Sequence, residues 1–185
     1  MPIHRLSPQD TGLVAQFYRE APDYWLLAEG ALDPDRQARE FFTDAPPGCD
    51  PAHGHRLGLF LPADSLSGDR GASPPPGGRA RGGIRSANRL SGVAELSFGF
   101  PEPGEAFLGL MILGPWAQGA GHGRRLLAHA EGLARAHGAP RLFLAVLDAN
   151  PRGRAFWLRE GFRPTGIRRQ DAVTGHGLER LVKDL

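Results

Sequence analysis

The chain has 185 residues, of which 41% are hydrophobic and 23% charged, enough for one domain with a real core and unlike a disordered segment. Its many glycines and prolines follow no Gly-X-Y period, which excludes collagen, and its longest nearly unbroken apolar run, Ala106–Leu113, is too short to cross a bilayer. The formal charge of +2 hides an asymmetry: from Trp116 onward Arg and Lys outnumber Asp and Glu two to one, while before it the acids prevail, so two partners of opposite charge are expected. Met1-Pro2-Ile3-His4-Arg5 has no apolar signal core, so no export is expected. Cys49 is the only cysteine. That excludes an intramolecular disulfide and a Cys-cluster zinc site and fits a reducing cytoplasm. Cys49, His53 and His55 have loosely metal-like spacing but lack a partner set in a Pro/Gly-rich segment, so no metal site is expected.

Ile3–Leu6 reads as a short edge strand. Ser7-Pro8-Gln9-Asp10 starts a helix: Ser7 caps, Pro8 takes the first helical position and Asp10 completes a capping box, with Leu13, Val14 and Phe17 following at helical spacing. Asp33-Pro34 repeats the signal for a second helix carrying Phe41 and Phe42, which Pro46-Pro47 ends. Leu57–Leu61 reads as a buried strand. The stretch from about 63 to 88 holds Pro74-Pro75-Pro76, six glycines and four arginines against two large apolar residues. Nothing there offsets ordering entropy, so a flexible insertion is expected within a single domain.

Leu90–Phe100 and Ala106–Leu113 read as strands joined by a turn. Helical spacing runs through Leu126, Leu127, Ala130, Leu133 and Ala134 until Gly138 and Pro140. Arg141–Leu147 is another strand, Asn150-Pro151 caps a helix ending at Gly161, and Phe162–Arg169 with Leu178–Lys183 forms a final strand pair.

The chemistry concentrates in Leu110–Arg124, where a buried strand feeds a glycine-rich turn and then an amphipathic helix. Such a turn is an anion cradle. Backbone N–H groups converge at the helix start, the helix dipole adds positive potential, and glycine lets a phosphate approach the backbone. There is no Gly-Lys-Ser/Thr for a P-loop, and Gly119, Gly121 and Gly123 do not have the dinucleotide-fingerprint spacing.

Gln118-Gly119-Ala120-Gly121-His122-Gly123 resembles the Arg/Gln-x-x-Gly-x-Gly/Ala signature of the GNAT acyltransferases. Pro115 stands three residues before it, and Asn150, Ala155, Phe156 and Gly161-Phe162 are similar to the family's later Asn…Gly-Phe segment. The order of elements agrees over almost the whole chain outside 63–88. The resemblance implies an α/β fold with a mixed, mostly antiparallel sheet of six to seven strands, about four flanking helices and a V-shaped split between central strands. It implies acetyl-coenzyme A as cosubstrate and a primary amine, on a small molecule or a protein N-terminus, as acceptor. Amides from Gln118, Gly119, Ala120, Gly121, His122, Gly123 and Arg124 would hold the pyrophosphate. Met111, Ile112 and Leu113 would bond the pantetheine arm through their backbone, with the Leu113 N–H as oxyanion donor. Asn150 would either contact the pantetheine or cap its helix. Homodimers are common in the family, so a homodimer is one assembly it implies.

One position departs from the family. The late tyrosine that serves as acid is replaced by Trp157, whose indole is no useful acid and is expected instead to wall the pantetheine. Glu95 is the first candidate for general base and Asp148, at a strand end, the second. Tyr24 either enters the acceptor pocket or packs a loop. His122 reads as a solvent-facing spacer. Arg152, Arg154, Arg159, Arg163, Arg168 and Arg169 read as surround of the coenzyme's 3′-phosphate in preference to an RNA site, since no interleaved aromatics accompany them. The first fifty residues are acidic and point to a cationic acceptor. The rival from another class is a sensor that keeps acyl-coenzyme A but has lost catalysis.

Overall fold

The computed structural model describes residues 2–63, 88–171 and 174–185; the expected insertion lies, apart from its two ends, outside them. After β1 (Ile3–Arg5) the Asp10 carboxylate accepts from the Ser7 backbone N–H at 2.8 Å and from the Ser7 hydroxyl at 3.0 Å. This capping box opens a 3-10 turn, Pro8–Asp10, which runs into α1 (Thr11–Glu20). Val14 and Phe17 are buried and Leu13 is left exposed. The Asp33 side chain accepts from the Arg36 N–H at 3.1 Å and caps α3 (Pro34–Thr43). Between these helices lies one that the sequence reading lacks, α2 (Asp23–Glu29), which ends at Gly30 with φ of 70°. Its Tyr-Trp-Leu-Leu-Ala run is apolar on all sides, so it shows no helical period.

The remaining elements fall within a residue or a few of their expected places: β2 (His55–Pro62), β3 (Asn88–Phe98), β4 (Ala106–Leu113), α4 (His122–Ala136), β5 (Arg141–Leu147), α5 (Pro151–Arg159), β6 (Arg163–Gln170) and β7 (Gly177–Asp184). They build one seven-stranded sheet in the order β1-β2-β3-β4-β5-β7-β6. Among the described residues only β4 and β5 pair parallel. The mixed, mostly antiparallel sheet is therefore as expected, with five α-helices in place of about four.

Side chains alternate across the sheet and feed two cores. Leu90, Val93 and Ile112 pack with Val14, Phe17, Tyr18 and Phe41 of α1 and α3. Ala94, Leu96, Leu108 and Leu144 pack with Leu126, Leu127 and Ala130 of α4.

What positions the site is an irregularity in β4. Glu95 of β3 stands opposite Leu110 and Leu96 stands opposite Leu108, so Gly109 is an extra residue. A bulge of this kind bends its strand and increases its twist. On the other edge of β4, pairing to β5 comprises only Ala106–Leu142, Phe107–Phe143 and Leu108–Leu144. At the bulge the two strands part, which is the V-shaped split.

Candidate active site

The split opens into a cavity of about 690 Å³. One side is β4 from Leu108 to Leu113 and the other β5 from Leu144 to Leu147. Past Leu108 the β5-facing edge of β4 has no strand partner, so its outward N–H and C=O groups meet the cavity and need a partner there. Met111, Ile112 and Leu113 all line it.

The glycine turn closes one end. A 3-10 turn, Pro115–Ala117, leads into it, anchored by the Trp116 indole N–H donating to Ser91 Oγ at 3.1 Å. Gly119 and Gly121 take φ of 80° and 77°, a left-handed backbone that side-chain-bearing residues rarely adopt. α4 starts immediately afterwards, so its first N–H groups have no helical acceptor. A Cβ on Gly123 would lie 3.1 Å from Leu113 Cδ1 and 3.5 Å from the Phe156 ring; glycine lets the helix start sit tight against the strand end. The Gln118 side-chain amide donates to the Leu113 carbonyl at 3.2 Å and ties turn to strand. Gln118, Gly119, Gly121, Gly123 and Arg124 line the cavity, whereas Ala120 and His122 do not. His122 is half-buried and its Nδ1 has no partner among the described residues, so it is not the solvent-facing spacer expected.

Glu95 is buried just behind the cavity wall. A Cβ on Gly109 would stand 3.0 Å from Glu95 Oε1, and Gly109 itself lines the cavity. Glu95 is not itself among the cavity-lining residues; its carboxylate fills the space that a side chain at 109 would take, one backbone thickness behind the wall. Burial, assisted by Asp44, raises its pKa to about 7 against the pull of Arg56, whose Nη2 lies 3.6 Å away. Asp148 is placed differently. It is half-exposed, is not among the cavity-lining residues, and accepts from Arg168 Nη2 at 2.6 Å. Neither acid lines the cavity itself: Glu95 lies behind Gly109, and Asp148 lies just past the end of β5 between the lining residues Leu147 and Asn150.

The opposite end of the cavity is walled by Ala21, Asp23, Tyr24 and Leu27. α2, the helix that sequence reasoning missed, therefore supplies most of this end. Burial, with the charges of Glu29 and Glu95, pushes the Tyr24 phenol up to about 12, so it stays protonated at neutral pH. Tyr24 lines the site and is not merely loop packing.

On the α5 side the Asn150 side-chain oxygen Oδ1 accepts from the Gly153 N–H at 2.8 Å and caps the helix, while the residue also lines the cavity. Trp157 touches the cavity too, but its indole belongs to the core, 4.9 Å from Phe156 and 5.5 Å from Phe162 between ring centres. Five of the six arginines fall into two groups. Arg154 pairs with Glu179, Arg163 with Asp184 and Arg168 with Asp148; Arg152 and Arg159 line the cavity. Among the described residues no group of three His, Cys, Asp or Glu is set to hold a metal ion, and no helix is long and apolar enough to cross a membrane.

An acetyltransferase from Thermus thermophilus shares the fold with a TM-score of 0.65 at 23% identity, over 100% of this chain and 96% of its own. The PaiA N-acetyltransferase from Thermoplasma acidophilum, solved in complex with coenzyme A, gives 0.62 at 19% over 100% and 98%. A GCN5-related N-acetyltransferase from Kribbella flavida gives 0.62 at 19% over 100% and 97%. No curated protein sequence matches the chain. The model of the Acetyltransferase (GNAT) family matches residues 37–162, a span that takes in the split strands, the glycine turn and α5. Because that match covers well over half of the sequence, the chain belongs to the GNAT acetyltransferase family.

Proposed function

We propose that the protein is an N-acetyltransferase that moves an acetyl group from acetyl-coenzyme A to a primary amine by direct attack. The observation that carries this reading is the Glu95 carboxylate beside Gly109 at the point where β4 and β5 part. A base with a pKa near 7 is well matched to neutral pH, able both to take a proton and to lose it again.

The cradle fits a pyrophosphate: two left-handed glycines bare the backbone at a helix start. Gln118, Gly119, Gly121, Gly123 and Arg124 would hold that group, with Ala120 and His122 contributing backbone only. Met111–Leu113 would bond the pantetheine arm, with Asn150 and Trp157 along its other side. Arg152 and Arg159 supply positive charge. Glu95, directly or through one water, accepts the proton of the incoming ammonium. The amine nitrogen then forms a bond to the acetyl carbon, the Leu113 N–H stabilises the oxyanion, and as the C–S bond breaks the second proton of the nitrogen passes, through solvent, to the departing thiolate. Trp157 offers no acid, but a thiol of pKa about 8.5 can leave as thiolate. Asp23 at the cavity rim supports a cationic acceptor, either a small amine or a protein N-terminus, and the neutral Tyr24 phenol can donate a hydrogen bond to it. Ion pairing of Arg154, Arg163 and Arg168 argues against nucleic acid as a partner. The free Cys49 thiol, donating to the Phe98 carbonyl at 3.1 Å, supports a cytoplasmic location.

Thiol release from acetyl-coenzyme A across a panel of amines tests the reading. Glu95→Gln should lower kcat by about 10²- to 10⁴-fold while calorimetric coenzyme A affinity stays. The core position of Trp157 favours one alternative, a non-catalytic acyl-coenzyme A sensor. Tight binding with no turnover on any amine would establish that alternative instead.

A further inference from the structure

Arg56 of β2 is a buried cation that the reaction as described does not use. The register sets it directly opposite Glu95 across the β2–β3 pair, so the two are nearest cross-strand neighbours. Its guanidinium is committed elsewhere. Nε donates to the Phe41 carbonyl and Nη2 to the Asp44 carbonyl, both at the end of α3. Nη1 is buried without a partner among the described residues. Gly54 makes room for this head: a Cβ there would lie 2.9 Å from Nη1 and 2.8 Å from the Leu96 carbonyl oxygen. The closest approach to Glu95 is the 3.6 Å between Nη2 and Oε1, beyond hydrogen-bond length.

The distance has a chemical meaning. An arginine bonded directly to a carboxylate occupies its lone pairs and holds it firmly ionised. An arginine anchored by carbonyls and held just out of bonding range lends charge but leaves the oxygens free to take a proton. We propose that Arg56 is a positioning residue for the reaction: its carbonyl-anchored guanidinium sets the charge state of Glu95 without donating a hydrogen bond to it. The other groups facing Glu95 are Asp44 after α3, Tyr18 of α1 and Tyr24 of α2. Tyr18 is fully buried, its hydroxyl unpartnered among the described residues, and burial raises its pKa well above the usual phenol value. Arg56 is thus the cation of the group, offset by Asp44 alone once both phenols stay neutral.

The inference rests on Glu95 being the base, and the test separates the two ideas. The Glu95 carboxyl carbon is followed by NMR through a pH titration of the full chain, with its signal identified by its loss in Glu95→Gln. Arg56→Met should move the midpoint upward by about one to two units, and Arg56→Lys by less. The acid limb of kcat/KM for amine acetylation should move with it. Should Arg56→Met not fold, Arg56→Gln removes the charge but keeps a donor for the Phe41 and Asp44 carbonyls, and the same criteria apply. A midpoint that stays or falls in the uncharged variant overturns the role of Arg56. A midpoint that rises while the kinetic limb stays put overturns Glu95 as base, and with it any part for Arg56 in the reaction.

Discussion

Gly109 gives the Glu95 carboxylate its place behind the cavity wall. A side chain at 109 would press on Oε1, which lies 3.0 Å from where its Cβ would stand. Gly109→Val should therefore displace the carboxylate and lower kcat by about ten- to a hundredfold, with a much smaller loss of coenzyme A affinity by calorimetry. Retained kcat would mean that the carboxylate acts from elsewhere or not at all. Glu95 itself was legible in the sequence, as an acid inside an otherwise apolar strand. Arg56 was not, because a cross-strand neighbour is known only once the register is. The bulge was equally hidden, since Gly109 is one more small residue in an apolar run. Asp148 was read from its place at a strand end, where open sheets put ligands; its ion pair with Arg168 was not legible, because that contact depends on how β6 lies beside β7.

At the level of elements, the glycine turn and the helix it launches form, in the proposed function, one unit for binding an anion. Gly121 has φ of 77° and open space where a Cβ would go. Gly121→Asp therefore costs about 1–2 kcal/mol of backbone strain, a loss a folded domain can bear, but it sets a carboxylate against incoming phosphates. Coenzyme A binding by calorimetry should vanish while circular dichroism keeps the folded signature; unchanged affinity would remove the pyrophosphate from this turn. Elements with caps or strong periodicity, such as α3, α4, β4 and β5, could be read within a residue or so. α2 could not, because its helix is specified by where it packs: Trp25 and Tyr24 lean on the α1–α3 core, and propensity alone does not reveal that. The same helix walls one end of the cavity, the end that the proposed function gives to the amine, so that end was the part least visible in the sequence.

For the molecule as a whole, the site has a thermodynamic cost. The folded state holds the Glu95 proton up to about pH 7, against an ordinary value of 4.5. That raised affinity contributes stability below the ordinary value, and the contribution is lost as pH rises through the folded value; above it the buried charge costs up to about 3 kcal/mol. Glu95→Gln carries no such charge. It should melt above the wild type at about pH 8, and the gap should close toward about pH 5. A gap independent of pH would mean that Glu95 is not buried as a strained acid. His55 has the opposite sign: burial, with Arg5, His137 and His129 nearby, lowers its pKa. Its share of stability is lost as the solution becomes acid, equally in both proteins, so the comparison cancels it. The front-to-back charge asymmetry survives folding: Arg154, Arg163 and Arg168 pair with carboxylates of their own half, which leaves the net positive excess of that half unchanged. The three rungs joining β4 to β5 have a wider consequence. Most sheets are sewn tightest in the middle and fray at the edges; this one is held at its centre by three stitches alone, which already make β1–β4 and β5–β7 a single sheet. On the proposed reading the pantetheine arm would lie along β4 and add to them, so that cosubstrate would also serve as scaffold.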